Sequence, residues 1–123
     1  MSPIPARSTG AVVLVVEDDA EIRDLLREVL EDEGYVVAVA EHGREALEDL
    51  ERGLQPALML VDLMMPVMNG WELLDALAAK GSTIPVTIVS AVADRNPLPG
   101  VRVIKKPINL DVLIDAVNDV CRP

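Results

Sequence analysis

The sequence reads as a single α/β domain, a doubly wound parallel sheet with helices on both faces. Continuous apolar runs, too short for buried helices, alternate with amphipathic helical patterns along the chain. Such runs are strands covered on both sides, and alternation with helices makes their pairing parallel. Polar residues follow four of the runs: Glu17-Asp18-Asp19 after VVLVV, Asp62 after ALMLV, Ser90 after VTIV and Lys106-Pro107 after VRVI. An open parallel sheet binds ligands outside the carboxyl ends of its strands, so these residues form a candidate site at one rim.

The strands in order are Val12–Val16, the weaker run Tyr35–Ala40, Ala57–Val61, Pro85–Val89 and the short run Val101–Ile104. The first helix is marked by Ile22, Leu25, Leu26, Val29 and Leu30, one apolar stripe at i, i+3, i+4, i+7 and i+8, and Gly34 stands where a helix stop belongs. Ala46, Leu47 and Leu50 mark a second helix ending at Gly53, and Leu73, Leu74, Leu77 and Ala78 a third ending at Gly81. The last carries Leu110, Leu113, Ile114 and Val117, with Asn109 as its N-cap. Only Ala91 to Gly100 separate the fourth and fifth strands, and Pro97, Pro99 and Gly100 are among them. Such a segment holds one or two helical turns at most, giving a shortened fourth helix.

With 123 residues the chain is one domain with a sizeable core. Half of it is hydrophobic, yet Trp71 and Tyr35 are its only aromatic residues, so the core is aliphatic. No apolar run approaches the roughly 20 residues of a membrane helix. The opening MSPIPARSTG has no signal-peptide pattern and reads as a flexible tail over residues 1–10. The lone Cys121 excludes an internal disulfide and suits a reducing cytoplasm. The formal net charge of −10 argues against nucleic acid or an anionic membrane as direct partner. Residues 1–89 hold 17 acidic and 6 basic side chains, and residues 90–123 hold 4 and 5, so the last third has a different electrostatic character.

Each polar group has a plain structural reading. Asp18 and Asp19 can cap a helix and complement its dipole, and Ser90 can be a satisfied loop hydroxyl. Lys105 reads as a surface residue beside a functional Lys106, His42 as a surface residue starting a helix, and Met64, Met65 and Met68 as loop packing. A carboxylate ending a buried strand, as at Asp62, is harder to explain without a partner. Together the four groups form a set suited to phosphoryl chemistry.

In this order LVVEDD, LVDLMMPVMNG, IVSA and IKKP resemble the receiver domain of bacterial two-component response regulators, of the chemotaxis-regulator type, over residues 11–121. The resemblance implies a flavodoxin-like (βα)5 sheet of strand order 2-1-3-4-5. It makes Asp62 the phosphoacceptor, Glu17 and Asp18 the acidic pair, Ser90 the hydroxyl position and Lys106 the lysine before a proline. A histidine kinase or histidine phosphotransfer protein is then the phosphoryl donor, an unidentified protein the downstream target, and the cytoplasm the location. Crowded carboxylates repel unless a cation intervenes, and all-oxygen ligation suits Mg²⁺ or Mn²⁺. Asp18, Asp62 and the Met64 carbonyl are the expected direct ligands, with Glu17 through a water. Lys106, Ser90 and the Ala91 backbone amide are expected to hold the phosphoryl oxygens.

The chain departs from the family pattern in three places: the short fourth crossover, Val103 where the family has a switch aromatic, and apolar Met64 and Val92 two residues past the acceptor and the hydroxyl. The third implies slow loss of phosphate, the first two an output surface other than the usual one. A non-phosphorylated pseudo-receiver and a haloacid-dehalogenase-like phosphatase are the competing readings. The latter needs a general acid two residues after the nucleophile, where Met64 stands.

Overall fold

The computed structural model describes residues 10–91 and 100–122. Its strands are β1 (Val12–Val16), β2 (Val36–Ala40), β3 (Leu58–Val61), β4 (Val86–Ser90) and β5 (Arg102–Lys105). They form one parallel sheet in the order β2-β1-β3-β4-β5, the flavodoxin-like arrangement expected. The helices among the described residues are α1 (Ala20–Asp32), α2 (Gly43–Glu51), α3 (Gly70–Ala79) and α4 (Leu110–Cys121). The expected N-terminal tail, the shortened helix between β4 and β5 and the apolar position Val92 fall on residues 1–9 and 92–99, outside the described residues.

Alternating side chains divide the core into two layers. Leu14, Val16, Met59, Val61 and Ile88 pack under α2 and α3, meeting Ala46, Leu47, Leu73, Leu74 and Leu77. Val13, Val15, Leu58, Leu60, Val89 and Ile104 face α1 and α4, meeting Leu26, Leu30, Leu113, Ala116 and Val117. Burying each of these large aliphatic side chains contributes roughly 1.5–3 kcal/mol. Central strands so covered must be apolar throughout, which is why β1 and β3 were readable as strands.

Strand ends differ from the sequence reading by one residue at the rim. β4 runs through Ser90 and β5 through Lys105 because these two residues are register partners, and a backbone ladder ignores side-chain polarity. All four helices open on a side-chain cap: Asp19, His42, Asn69 and Asn109. Asn69 and Glu72 complete a reciprocal capping box. Because every strand pair is parallel, all five strands end at the same rim.

Candidate functional site

Glu17 continues β1, its N–H donating to the Ala40 carbonyl at 3.0 Å, and its own carbonyl accepts from Arg23 Nη1 at 2.9 Å. Its side chain is 2% exposed and accepts from the Asp19 N–H at 3.1 Å. Asp62 follows β3, its N–H bonded to the Val16 carbonyl at 3.0 Å. Lys106 follows β5, its N–H bonded to the Ser90 carbonyl at 3.2 Å. The sheet ladder thus carries these three residues to one place before any side chain acts.

There the Lys106 ammonium donates to Glu17 Oε1 at 2.7 Å and to Asp62 Oδ2 at 3.3 Å. Asp18 stands exposed beside them, and one oxygen each of Glu17, Asp18 and Asp62 lie within 4.8 Å of one another. Burial pushes the Glu17 carboxyl up to about 7, against the opposing pull of Lys106 and the Asp19 amide, and the nearby Asp62 charge adds to the rise. Burial pulls the Lys106 ammonium down, but its bonds to Glu17 and Asp62 outweigh this and hold it above its ordinary value. Among the described residues the Lys106 ammonium pairs with two of these three carboxylates, Glu17 and Asp62, while Asp18 stands beside them. That oxygen-rich, under-neutralised set fits a hard divalent cation.

Glu17, Asp18, Asp62 and Lys106 are therefore brought together as expected. Ser90 is fully buried at the end of β4, and Ala91 is exposed just after it. Val103 is half-buried in β5 against the α2–α3 layer. Lys105, the last residue of β5, is exposed.

Two readings need correction. Met64 does not pack in the loop: it is 58% exposed. Met65 and Met68 take the inward positions instead, leaving Met64 outside. Its N–H nevertheless points back to Asp62 Oδ1 at 3.4 Å. His42 is a half-buried cap and not a free surface residue, its Nδ1 accepting from the Glu45 N–H at 3.2 Å.

Sequence reasoning missed the two glycines that close the loop after Asp62. A Cβ on Gly70 would lie 2.5 Å from the Asp62 carbonyl oxygen and 2.8 Å from Leu63 Cα, both backbone atoms. Only hydrogen fits there, and the Gly70 N–H bonds the Leu63 carbonyl at 2.9 Å. Gly43 abuts Met68 in the same way, its N–H bonded to the Met68 carbonyl at 3.0 Å. A glycine at the first position of a helix, where better helix formers are available, was the legible hint.

The family model described as the response regulator receiver domain matches residues 13–118. An uncharacterized 14.6 kDa protein of Leptolyngbya boryana is 48% identical over 66% of this chain and 63% of its own length. The alkaline phosphatase synthesis transcriptional regulatory protein SphR of Synechococcus elongatus is 41% identical over 71% of this chain but only 37% of its own. The chain thus spans less than two thirds of these relatives. A receiver domain of Francisella response regulator 1452 superposes with a TM-score of 0.82 at 32% identity, covering 91% of this chain and 97% of that one. TrrA of Thermotoga maritima, solved in complex with Mg²⁺ and BeF, gives 0.79 at 28% identity, over 89% of this chain and 98% of its own.

Proposed function

The chain belongs to the response regulator receiver domain family, and from that premise we infer that it is a phosphoacceptor whose Asp62 takes a phosphoryl group from a histidine kinase or phosphotransfer protein. The observation that carries this reading is the ammonium of Lys106 within reach of both Glu17 and Asp62, beside the oxygens of Asp18. A carboxylate at the rim of a buried sheet with a cation poised over it is equipped to receive an anionic group.

Asp62 attacks the phosphorus of a phosphohistidine donor with one carboxylate oxygen. The O–P bond forms as the N–P bond breaks, and the electron pair returns to the donor imidazole. Asp18, Asp62 and the Met64 carbonyl would hold Mg²⁺ or Mn²⁺, with Glu17 through a water. That ion supplies charge neutralisation for the developing equatorial oxygens. Lys106 leaves Asp62 Oδ2 for a second phosphoryl oxygen while its shorter bond to Glu17 keeps it over the site. The Ser90 hydroxyl and the Ala91 N–H donate to the third. The Met64 side chain offers no proton, so the acyl phosphate serves as a signal and outside substrates are not turned over.

The test is transfer from a phosphohistidine donor. In Mg²⁺ a labelled phosphotransfer domain is expected to lose its label to this chain and to retain it when offered Asp62→Asn. Retention with the unaltered chain, across several donors and with chemical donors too, would favour the pseudo-receiver instead.

A further inference from the structure

We propose that the apolar rim formed by Met64, Val67 and Trp71 is a docking surface for a basic amphipathic segment of a partner protein. Six large hydrophobic side chains are exposed among the described residues, and three of them fall between positions 64 and 71. The others, Leu25, Val36 and Val112, are scattered over α1, β2 and α4. Isolated exposed apolar residues are ordinary, whereas a cluster on one loop and helix start is not.

The loop bearing this cluster is built, not loose. Val67 has φ of 65° and is 71% exposed. A β-branched residue in the left-handed region is strained, and such strain persists only where the surroundings impose it. Here the Met68 N–H bonds the Pro66 carbonyl at 2.7 Å, and the Gly43 and Gly70 bonds pin the loop on either side. The side chain that a strain-free design would remove is held outward into water. Trp71, 40% exposed on the first turn of α3, supplies a rigid anchor, and Met64 an adaptable one.

Charge identifies the occupant. Residues 53–79 contain no Lys or Arg, while Glu72 and Asp75 are exposed on α3 beside the rim. A segment with apolar anchors flanked by cations complements this surface, whereas an anionic lipid surface is repelled. A second copy meeting the same face through a two-fold axis would set these acids against each other. The rim also begins two residues after Asp62, with the Met64 N–H on Asp62 Oδ1. Coupling between docking and the state of Asp62 therefore follows, and this part rests on Asp62 being the acceptor.

Trp71 is the only tryptophan, so its emission reports on the rim directly. The probe is a synthetic helix of Leu and Lys, with a Leu and Glu helix of the same apolar pattern as control. The Leu/Lys peptide is expected to give a saturable blue shift and the Leu/Glu peptide none. Val67→Asp and Val67→Gly are expected to weaken binding by about tenfold, and Leu25→Asp on α1 to leave it unchanged. No saturable shift, an equal response to both peptides, or unaltered binding by both Val67 variants would overturn the proposal. So would a shift on self-concentration, which points to a second copy, or on phosphatidylserine vesicles, which points to a membrane. Loading with Mg²⁺ and beryllofluoride is expected to change peptide affinity at least about threefold in the unaltered protein and not in Asp62→Asn. Peptide binding that beryllofluoride leaves unmoved overturns the coupling alone, and an independent mass readout of the Asp62 adduct separates that failure from a failure of the acceptor itself.

Discussion

Lys106 Nζ lies 2.7 Å from Glu17 Oε1 but 3.3 Å from Asp62 Oδ2, so the ammonium is tethered by the residue that is not the acceptor. This asymmetry suits a cation that must later exchange one partner. Glu17 can keep Lys106 in place while Asp62 gives up its hydrogen bond to an incoming phosphoryl oxygen. The same tether sets the energetics of the resting site, because both carboxylates are buried and the lysine is their only neutralising side chain among the described ion pairs.

Lys106→Met leaves Glu17 and Asp62 facing each other without a cation. Removing one partner of a buried pair strands the remaining charge, and the loss here is expected at about 2–3 kcal/mol, given the partial exposure of the lysine. Urea unfolding without divalent ions measures it, and added Mg²⁺ is expected to recover part of the loss. An unchanged midpoint would mean that the tether is not formed in solution.

The raised carboxyl of Glu17 makes stability depend on pH in a direction opposite to most carboxylates. Its folded value of about 7 exceeds the ordinary 4.5, so the native state binds the proton more tightly than the unfolded chain does. The resulting stabilisation is present in full below about 4.5 and is lost as pH rises through about 7. Lys106, raised above 10.5, contributes stability that fades only at more alkaline pH. In the absence of divalent ions, urea midpoints are therefore expected to fall from pH 5 to pH 8, and Glu17→Gln is expected to flatten that fall. Mg²⁺ affinity is expected to weaken below pH 7 as Glu17 takes its proton.

Gly70→Ala tests the closure of the acceptor loop. The new methyl would collide with backbone at Asp62 and Leu63, at 2.5 and 2.8 Å, which no rotamer change relieves. A cost of about 1–3 kcal/mol is expected from such overpacking, together with slower phosphoryl transfer because the carbonyl side of Asp62 must move. Gly53→Ala is the comparison: its positive φ strains the variant, yet its Cβ meets nothing within 4 Å. Stability is expected to fall in both and transfer to slow only in the first.

Met64→Glu tests phosphate lifetime. The exposed thioether cannot orient an attacking water, so loss of phosphate from the unaltered protein is expected to be slow. One well-placed hydrogen bond, of about 1.4 kcal/mol in the transition state, would speed hydrolysis roughly tenfold. Following phosphate release after removal of the donor measures both lifetimes. A lifetime of seconds in the unaltered protein, or no acceleration in the variant, contradicts the role assigned to this position.

Much of this was legible from residues alone, for physical reasons. β1 and β3 are buried on both faces and therefore show unbroken apolar runs, β4 departs from one only at Thr87 and its terminal Ser90, and the caps Asp19 and Asn109 follow from local hydrogen bonding. The meeting of Glu17, Asp18, Asp62 and Lys106 follows from parallel pairing, because every crossover returns the chain to the same rim. What could not be read were properties fixed by distant neighbours. Gly70 is required by Asp62 and Leu63, and Gly43 by Met68, contacts that no local pattern reports. Met64 looked like its neighbours Met65 and Met68, yet only the folded loop decides which methionine faces outward. His42 caps α2 through a ring nitrogen, an arrangement that the usual Ser, Asp and Asn signals do not flag.

The most direct measurement is the intact mass of the protein after incubation with acetyl phosphate and Mg²⁺. A base-labile, acid-stable gain of about 80 Da, one PO₃ unit, is expected in the unaltered chain and in Val67→Asp but not in Asp62→Asn. A gain that survives in Asp62→Asn, or no gain in the unaltered chain under conditions that load other receivers, would contradict the assignment of Asp62 as the acceptor.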